Sequence, residues 1–487
     1  MSSVREETAR GIKWGLIQKC TMQPVHFLFG IILARLISPD EMGILGLTGI
    51  FFAFAGQLQE CGFGAALVRK QDRTVEDICT VFWFNVAMSL VLSLALFLAA
   101  PWFVWFFNQP ALLNLTRVSA LLMFLNSTGS VHWTLYQARR DFKTPAIVSM
   151  CTTLVAMPFT IWAAFAGWSY WAPMLQGIIA GLLSLITVWI ISPWKPSLKF
   201  SKKSFKEFFQ FGINLTVAGM INKAYGEIRV FIIGKFYSPA QLAYFSRGEK
   251  TCRLPLSLTE SVLTPILFPI LATLQHDKDK LASVYLRYIS LTALIVEWIM
   301  ITLAANAPAL VLFLYGDQWI VAATYAQILC FGWVFNPLLS INCSIFAVLG
   351  RSDLSLKFET VLRIFSISTM LIAALYSVQA LCYAAVAAAV FAIILSSILV
   401  TRISCLTITQ LLSAFLPYLG MSFIANIPSL FIVELPYPSG VRLLAGGMSS
   451  LCIYALLLWL RKDNTAQVIT SFLTNKINSF LSNHFKK

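Results

Sequence analysis

Apolar runs long enough to cross a bilayer recur along the whole chain. They fall near residues 14–36, 42–66, 78–100, 111–137, 145–166, 169–192, 208–236, 242–272, 284–304, 319–349, 355–377, 379–400, 411–433 and 439–461. A spanning helix needs about 20 mainly apolar residues, so the pattern predicts fourteen. Several runs are longer, which predicts tilt or extension beyond the bilayer. The loops between them alternate in charge. One set holds Arg5, Arg10 and Lys13; Arg69, Lys70 and Arg73; Arg139, Arg140 and Lys143; Lys195, Lys199, Lys202, Lys203 and Lys206; Lys278, Lys280 and Arg287; Arg351, Lys357 and Arg363; Arg402; and Arg461, Lys462, Lys476, Lys486 and Lys487. The opposite set is nearly free of base and carries turn residues: Ser38-Pro39-Asp40, Asn108-Gln109-Pro110, Gly167, Ser238-Pro239, Gly316-Asp317 and Pro436-Tyr437-Pro438. Basic loops stay cytoplasmic. Both termini are therefore expected inside, with an even number of spans.

One stretch of the chain nearly repeats itself 200 residues later. Residues 30–60 read GIILARLISPDEMGILGLTGIFFAFAGQLQE and residues 230–260 read VFIIGKFYSPAQLAYFSRGEKTCRLPLSLTE. Ser38-Pro39 falls on Ser238-Pro239, Arg35 on Lys235, Leu58 on Leu258 and Glu60 on Glu260. A second, weaker match aligns QARRDFK at 137–143 with LGRSDLSLK at 349–357, setting Arg139 and Asp141 against Arg351 and Asp353 at an offset of 212. Duplicated membrane segments that carry polar residues are the mark of a two-lobed transporter built from internal repeats.

Composition agrees with a membrane protein. Of 487 residues 58% are hydrophobic and 12% charged, against about 45–50% and about 25% in soluble domains. No sizeable soluble domain fits between the spans. The first segment, broken by Gln18, Lys19, Gln23 and His26, reads as a span and not a cleaved signal. A net charge of +15 would suggest nucleic acid in a soluble chain; here the base sits in short loops on one side, and no nucleic-acid partner is expected. Ten cysteines are scattered without a CxxC, which predicts neither a disulfide framework nor a zinc site.

The charges inside the spans are the candidate chemistry. An ionisable residue at the bilayer centre costs on the order of 2.5–3.5 kcal/mol on insertion scales and usually faces a cavity or a partner. In span eight, Ser246, Lys250, Arg253, Ser257, Glu260 and Thr264 recur at helical spacing and form one polar stripe, flanked by Arg247. Lys19, Gln23, His26 and Gly30 make a shorter stripe in span one; Gln57, Glu60 and Gly64 do so in span two; Lys223 and Glu227 share a face of span seven near Arg229. These spans are the two copies of the repeat. Their faces are expected to line one mixed but net-positive cavity, with Lys19, Lys223, Arg229, Arg247, Lys250 and Arg253 as its cations. Glu227 and Glu249 each have a base four residues away and read as ion-pair partners. Lone His26 reads as a packing residue. Glu297 and Arg117 have no partner that the sequence names. Arg35, Lys235 and Arg442 lie near span ends and can snorkel.

No P-loop, HExxH or GxSxG is present, and Asp277-Lys278-Asp279 lies in a short loop with no catalytic domain around it. The chain is therefore expected not to be an enzyme. No cofactor or metal is expected; Glu60 and Glu260 are the candidate sites for a coupling proton or sodium ion.

The stretches ARLISPDEMGILGL (34–47), GFGAALVRKQD (62–72), QARRDFK (137–143), YFSRGEKTCRLPLSL (244–258), ILFPILATLQHDKDKL (266–281) and LYGDQW (314–319), taken in that order, resemble polysaccharide repeat-unit flippases. The likeness is to the Wzx-like branch of the multidrug/oligosaccharidyl-lipid/polysaccharide exporter superfamily, which includes colanic acid and teichuronic acid exporters, and it covers roughly residues 10–400. It implies alternating access by two six-helix lobes. It also implies an undecaprenyl-pyrophosphate-linked oligosaccharide as substrate, flipped across a bacterial inner membrane for surface polysaccharide assembly. Membrane lipids, and a polysaccharide polymerase with its export machinery, are the partners it suggests. Relatives carry basic residues in spans one, two, seven and eight; span two here departs from that, with Glu60 and no deep base. A multidrug or cation antiporter of the same fold, using Glu60 and Glu260, is the alternative, and a membrane enzyme of glycan assembly a weaker one. The expected fold is an all-α polytopic membrane protein. An N-terminal lobe (1–192) and a C-terminal lobe (208–400) are joined by a basic linker (193–207). Two further spans (401–462) and an amphipathic tail on the membrane surface (463–487) complete it.

Overall fold

The computed structural model describes residues 2–404, 406–463 and 465. The amphipathic tail expected at 463–487 thus lies almost wholly outside the described residues, as do the side chains of Glu260 and 261–266. Among the described residues sixteen α-helices follow one another: α1 (Ser2–Leu36), α2 (Pro39–Glu60), α3 (Phe63–Arg69), α4 (Val75–Phe107), α5 (Leu112–Ala138), α6 (Lys143–Phe165), α7 (Trp171–Ile191), α8 (Lys202–Phe236), α9 (Pro239–Thr273), α10 (Lys278–Tyr315), α11 (Ile320–Trp333), α12 (Asn336–Val348), α13 (Ser352–Ala373), α14 (Val378–Ile403), α15 (Ile408–Ile432) and α16 (Ser439–Leu460). The described residues contain no strand.

These sixteen map onto the fourteen expected spans, because two spans are each broken in the middle. Between α2 and α3, Cys61 and Gly62 both adopt left-handed backbone. Between α11 and α12 the break precedes Pro337, which lacks the N–H a continuing helix needs. Ten of the fourteen rods are long and apolar enough to cross a membrane by length and composition. The other four are α5, α8, α9 and α13. These carry ionisable residues that lower their hydropathy: Arg117 and His132; Lys223, Glu227 and Arg229; Arg247, Lys250 and Arg253; Lys357, Glu359 and Arg363. This is a polytopic all-α membrane protein. Apolar side chains that would be misplaced in water stand outward along α4 (Leu90, Val91, Leu94, Leu98) and along α15 and α16 (Ile424, Ile427, Leu444, Leu451), where lipid is their solvent.

Local signals set the helix starts. Ser38 caps α2 in a reciprocal box with Glu41, and Thr74 and Thr407 do the same for α4 and α15 with Asp77 and Gln410. Both Ser-Pro turns start a helix with proline in its first turn. The repeat is carried by the backbone: α1 ends at Leu36 and α8 at Phe236, while α2 starts at Pro39 and α9 at Pro239. Ser238 Oγ accepts from Gln241 N at 3.3 Å, as Ser38 Oγ accepts from Glu41 N at 3.4 Å.

The second sequence match shifts by two residues. The turn after α5 has Arg139, Arg140 and Asp141 N–H groups donating to Leu135, Gln137 and Tyr136; the turn after α12 has Leu349, Gly350 and Arg351 donating to Ile345, Ala347 and Phe346. The same Schellman pattern therefore recurs at an offset of 210, with Arg140 and Gly350 as its positive-φ residues. Backbone geometry equates those two, whereas the letter match at 212 had aligned Arg139 with Arg351.

The chain forms two compact units, Met1–Ala243 and Tyr244–Lys487. In the first, α4 packs on α5, α6 on α7, α1 on α6, and α8 runs along α2, α3 and α4. Its aromatic centre is Phe63, fully buried, stacked on Phe84 at 4.1 Å and met edge-on by Phe208. The segment before α8 is tied down here: Trp83 donates to Ser197 O at 2.9 Å and Ser201 N to Thr80 Oγ1 at 2.9 Å. In the second unit α10 is the hub, packed against α11, α12, α15 and α16, while α14 closes on α11, α12 and α13. Trp319, Tyr285, Tyr315, Phe245 and Phe346 fill its interior.

Candidate functional site

The polar stripes read from the sequence sit on two groups of helices, one in each unit. In the first unit Lys19 is exposed on α1, Lys223 is exposed and Arg229 half-buried on α8, and Glu60 is exposed as the last residue of α2. Gln57 of α2 reaches α8 at Gly219, where a Cβ would stand 2.4 Å from its amide nitrogen. Gly219 and Lys223 are one helical turn apart, so the α2 and α8 stripes share one seam. Farther along the same seam Gly62 and Gly212 meet backbone to backbone: a Cβ on Gly212 would lie 2.1 Å from the Cys61 carbonyl oxygen. At the end of the seam Lys70 bridges Asp77 at 3.1 Å and Glu207 at 3.3 Å, so α8 is clamped where its first turn meets the α3–α4 loop.

In the second unit the described residues of the α9 stripe differ in exposure. Lys250 and Arg253 are exposed, and Ser246 and Ser257 half-buried. Arg247 turns away from them. Its guanidinium lies 5.2 Å from the Tyr315 ring centroid and 5.3 Å from that of Trp319, geometry in which a cation gains from two ring faces. Thr251 fixes this corner by donating to the Arg247 carbonyl at 2.9 Å and sharing a hydrogen bond with Tyr315 OH at 3.1 Å. The side chain of Glu260 is not among the described ones. One turn beyond the cationic residues, Leu256, Thr259 and Leu267 of α9 wall a small, mainly apolar cavity together with Val296 of α10 and Pro337 and Ile341 of α12. The Thr259, Thr292 and Ser344 hydroxyls on its wall each donate to a carbonyl of their own helix.

The other singled-out residues find ordinary places. His26 is exposed on α1, with its Nδ1 2.8 Å from Met22 O of the preceding turn. Arg117 lies over Phe97 at 4.9 Å. Lys235 donates to Phe106 O at 2.7 Å and Arg442 to Val433 O at 2.7 Å, both using helix-end carbonyls. Among residues that the sequence did not single out, His132 is buried against Ser192, with its Nδ1 2.8 Å from Ser192 Oγ and Trp194 5.1 Å away. Cys252 and Cys330 are buried free thiols whose sulfurs lie 3.2 Å apart. Seventy-eight positions separate them, so no spacing rule could have joined them.

A family model described as "Polysaccharide biosynthesis protein" matches residues 32–324, more than half of the chain. The chain belongs to this family. Its relatives include the teichuronic acid biosynthesis protein TuaB of Bacillus subtilis (21% identical, covering 76% of this chain and 77% of that one). They also include the succinoglycan biosynthesis transport protein ExoT of Rhizobium meliloti (24%, covering 64% and 63%) and the lipopolysaccharide biosynthesis protein WzxC of Escherichia coli K12 (22%, covering 73% of each). Among solved structures the fold is similar to that of the lipid II flippase MurJ in an inward closed conformation, with a TM-score of 0.70 over 95% of this chain and 99% of that one at 13% identity. It is also similar to an inward-facing multidrug resistance MATE family transporter of the MOP superfamily, with a TM-score of 0.57 over 77% of this chain and 94% of that one at 16% identity. The chain thus shares the fold of these two structures, and the family match spans both copies of the Ser-Pro repeat.

Proposed function

We propose that this protein is a flippase that moves lipid-linked oligosaccharide repeat units across the bacterial inner membrane by alternating access, for assembly of a surface polysaccharide. Membership of a polysaccharide biosynthesis family supports the glycan. The fold similarity to a lipid II flippase over nearly the whole chain supports a polyprenyl-linked substrate. The observation that carries the reading is the exposed pair Lys250 and Arg253 on α9, a helix inside the membrane fold that is too charged to be a plain lipid-facing span. A pyrophosphate crossing a low-dielectric region needs fixed cations in place of its water. Arg253 supplies a planar fork to the phosphates and Lys250 supplies field beside it, while Arg247 is held by the Tyr315 and Trp319 rings. Lys223, Lys19 and Arg229 of the first unit are the other candidate cations. Glu60 and Glu260, at equivalent places in the repeat, take the coupling proton or sodium ion. Both termini lie in the cytoplasm. A multidrug antiporter shares the fold, but an excess of deep cations is poorly suited to cationic drugs.

The test is complementation. In cells whose own repeat-unit exporter has been deleted, the wild-type chain should restore surface polysaccharide. The Lys250→Gln/Arg253→Gln double variant should fold and leave repeat-unit lipid on the cytoplasmic face. Export at the wild-type rate by that variant would remove the cluster from the site. Failure of the purified wild-type chain to move any polyprenyl-pyrophosphate-linked sugar in proteoliposomes would remove the function.

A further inference from the structure

We infer that Glu297, in the middle of α10, is a proton-binding site, and that its neutral form is what closes the seam between α10, α15 and α16. Glu297 is fully buried, and neither carboxyl oxygen has a hydrogen-bond partner among the described residues. The helices packed on α10 offer it no base. α11, α12 and α15 contain no Asp, Glu, Lys, Arg or His. α16 contains one cation, Arg442, which lies two turns before the Ser450 level and donates to Val433 O. The remaining titratable groups on these elements are Asp317 in the turn before α11, Tyr325 and Cys330 on α11, Cys343 on α12, Tyr418 on α15, Cys452 and Tyr454 on α16, and Asp463 beyond it. Of these, the Tyr454 phenol spends its proton on Leu294 O at 2.8 Å.

The seam is short of donors. Trp298 Nε1 donates to Ser450 Oγ at 3.0 Å, Asn426 Nδ2 to Thr302 Oγ1 at 3.1 Å, and Asn306 Nδ2 to Thr302 O at 2.9 Å. The acceptors left over are buried oxygens with no partner: both of Glu297, and Oδ1 of Asn306 and of Asn426. The Ser422 hydroxyl is unpartnered as well. Such a site admits a carboxylic acid, whose O–H is itself a donor, and rejects a carboxylate, whose two oxygens only accept. Losing the proton therefore puts an unpaired charge in a dry seam, and the seam must part or admit water to solvate it. The residue before Glu297, Val296, walls the cavity that α10 shares with α9. One helix thus borders the proton site on one face and that cavity on another. The inference concerns the second unit alone and stands whether or not the chain is a flippase.

The full chain in detergent is titrated by infrared difference spectroscopy and by hydrogen–deuterium exchange. Wild type should show a carboxylic-acid carbonyl band that is absent from Glu297→Gln, and that band should vanish as pH is raised. Exchange in α10, α15 and α16 peptides should rise over the same interval in wild type and stay flat in Glu297→Gln. Glu297→Asp, which keeps the acid, should retain a band at a displaced pH. Identical carbonyl spectra for wild type and Glu297→Gln would overturn the inference, as would a band that sodium removes at constant pH or an exchange profile indifferent to the substitution. If Glu297→Gln does not fold, loss of the wild-type band with rising pH without a matching rise in exchange overturns it equally.

Discussion

The Asp40 carboxylate accepts the Ala240 backbone N–H at 3.2 Å. Each residue immediately follows the Pro of its Ser-Pro turn, so the two copies of the internal repeat touch at the same landmark. Gly43 makes the approach: a Cβ there would fall 1.9 Å from the Pro239 carbonyl oxygen, and that oxygen is backbone and cannot swing away. One turn along α2, Gly46 meets only the Leu242 side chain at 3.4 Å.

Gly43→Ala should therefore part the two turns, at an overpacking cost of about 1–3 kcal/mol, while Gly46→Ala should be nearly silent. Disulfide yield between Asp40→Cys and Ala240→Cys reads the separation directly. An unchanged yield in the Gly43→Ala background would show that the contact is not what holds the turns.

At the other end of α8, burial alone would lower the Lys70 ammonium, but hydrogen bonds and charge from Asp77 and Glu207 outweigh it and raise Lys70 above its ordinary value. A raised lysine stabilises fully below its unfolded value, about 10.4, and loses that contribution as pH climbs through the folded one. Lys70→Gln should melt lower than wild type at neutral pH, and the gap should close in strongly alkaline buffer. A gap independent of pH would assign the loss to packing.

Arg253→Lys keeps charge but loses the planar fork. Transport should fall several-fold with little change in melting. Arg247→Lys should also destabilise, by about 0.5–2 kcal/mol, because the rings of Tyr315 and Trp319 hold a guanidinium. Equal behaviour of the two variants would mean that the pair does not divide into one binding and one anchored residue.

Reporter fusions after Pro39, Pro110, Pro239 and Pro438 should read outside, and those after Lys70, Lys143, Lys203 and Lys462 inside. An inverted signal at Lys203 would break the inside placement of the basic segment before α8.

Glu60→Gln and Glu260→Gln should change how transport depends on pH or sodium without abolishing expression. Normal transport by both at every pH and sodium level tested would make the pair structural.

The sequence by itself determined the order of the fourteen rods, because the demand for about 20 apolar residues acts on each segment separately; their lengths it did not, since α4 and α10 run well past the apolar runs at 78–100 and 284–304. It also determined the Ser-Pro starts of α2 and α9, where cap and proline act within one turn. It picked out α8 and α9 as the charged helices, since a helical stripe is a property of spacing. Partnership was decided only by tertiary structure. Lys250 and Arg253 point one way and Arg247 into the Tyr315–Trp319 corner because α9 packs with one face against α10 and its following turn, and no local rule says which face. Cys252 found Cys330, and Asp40 found Ala240, across chain separations that carry no signal. Glu297 was visible as a charge with no neighbour; that its surroundings lack a base and leave both carboxyl oxygens unpartnered emerged only when α15 and α16, which lie outside the repeat, closed over it. Solvation is collective: a residue's own letter gives its polarity, but the helices that exclude water from it decide what that polarity costs.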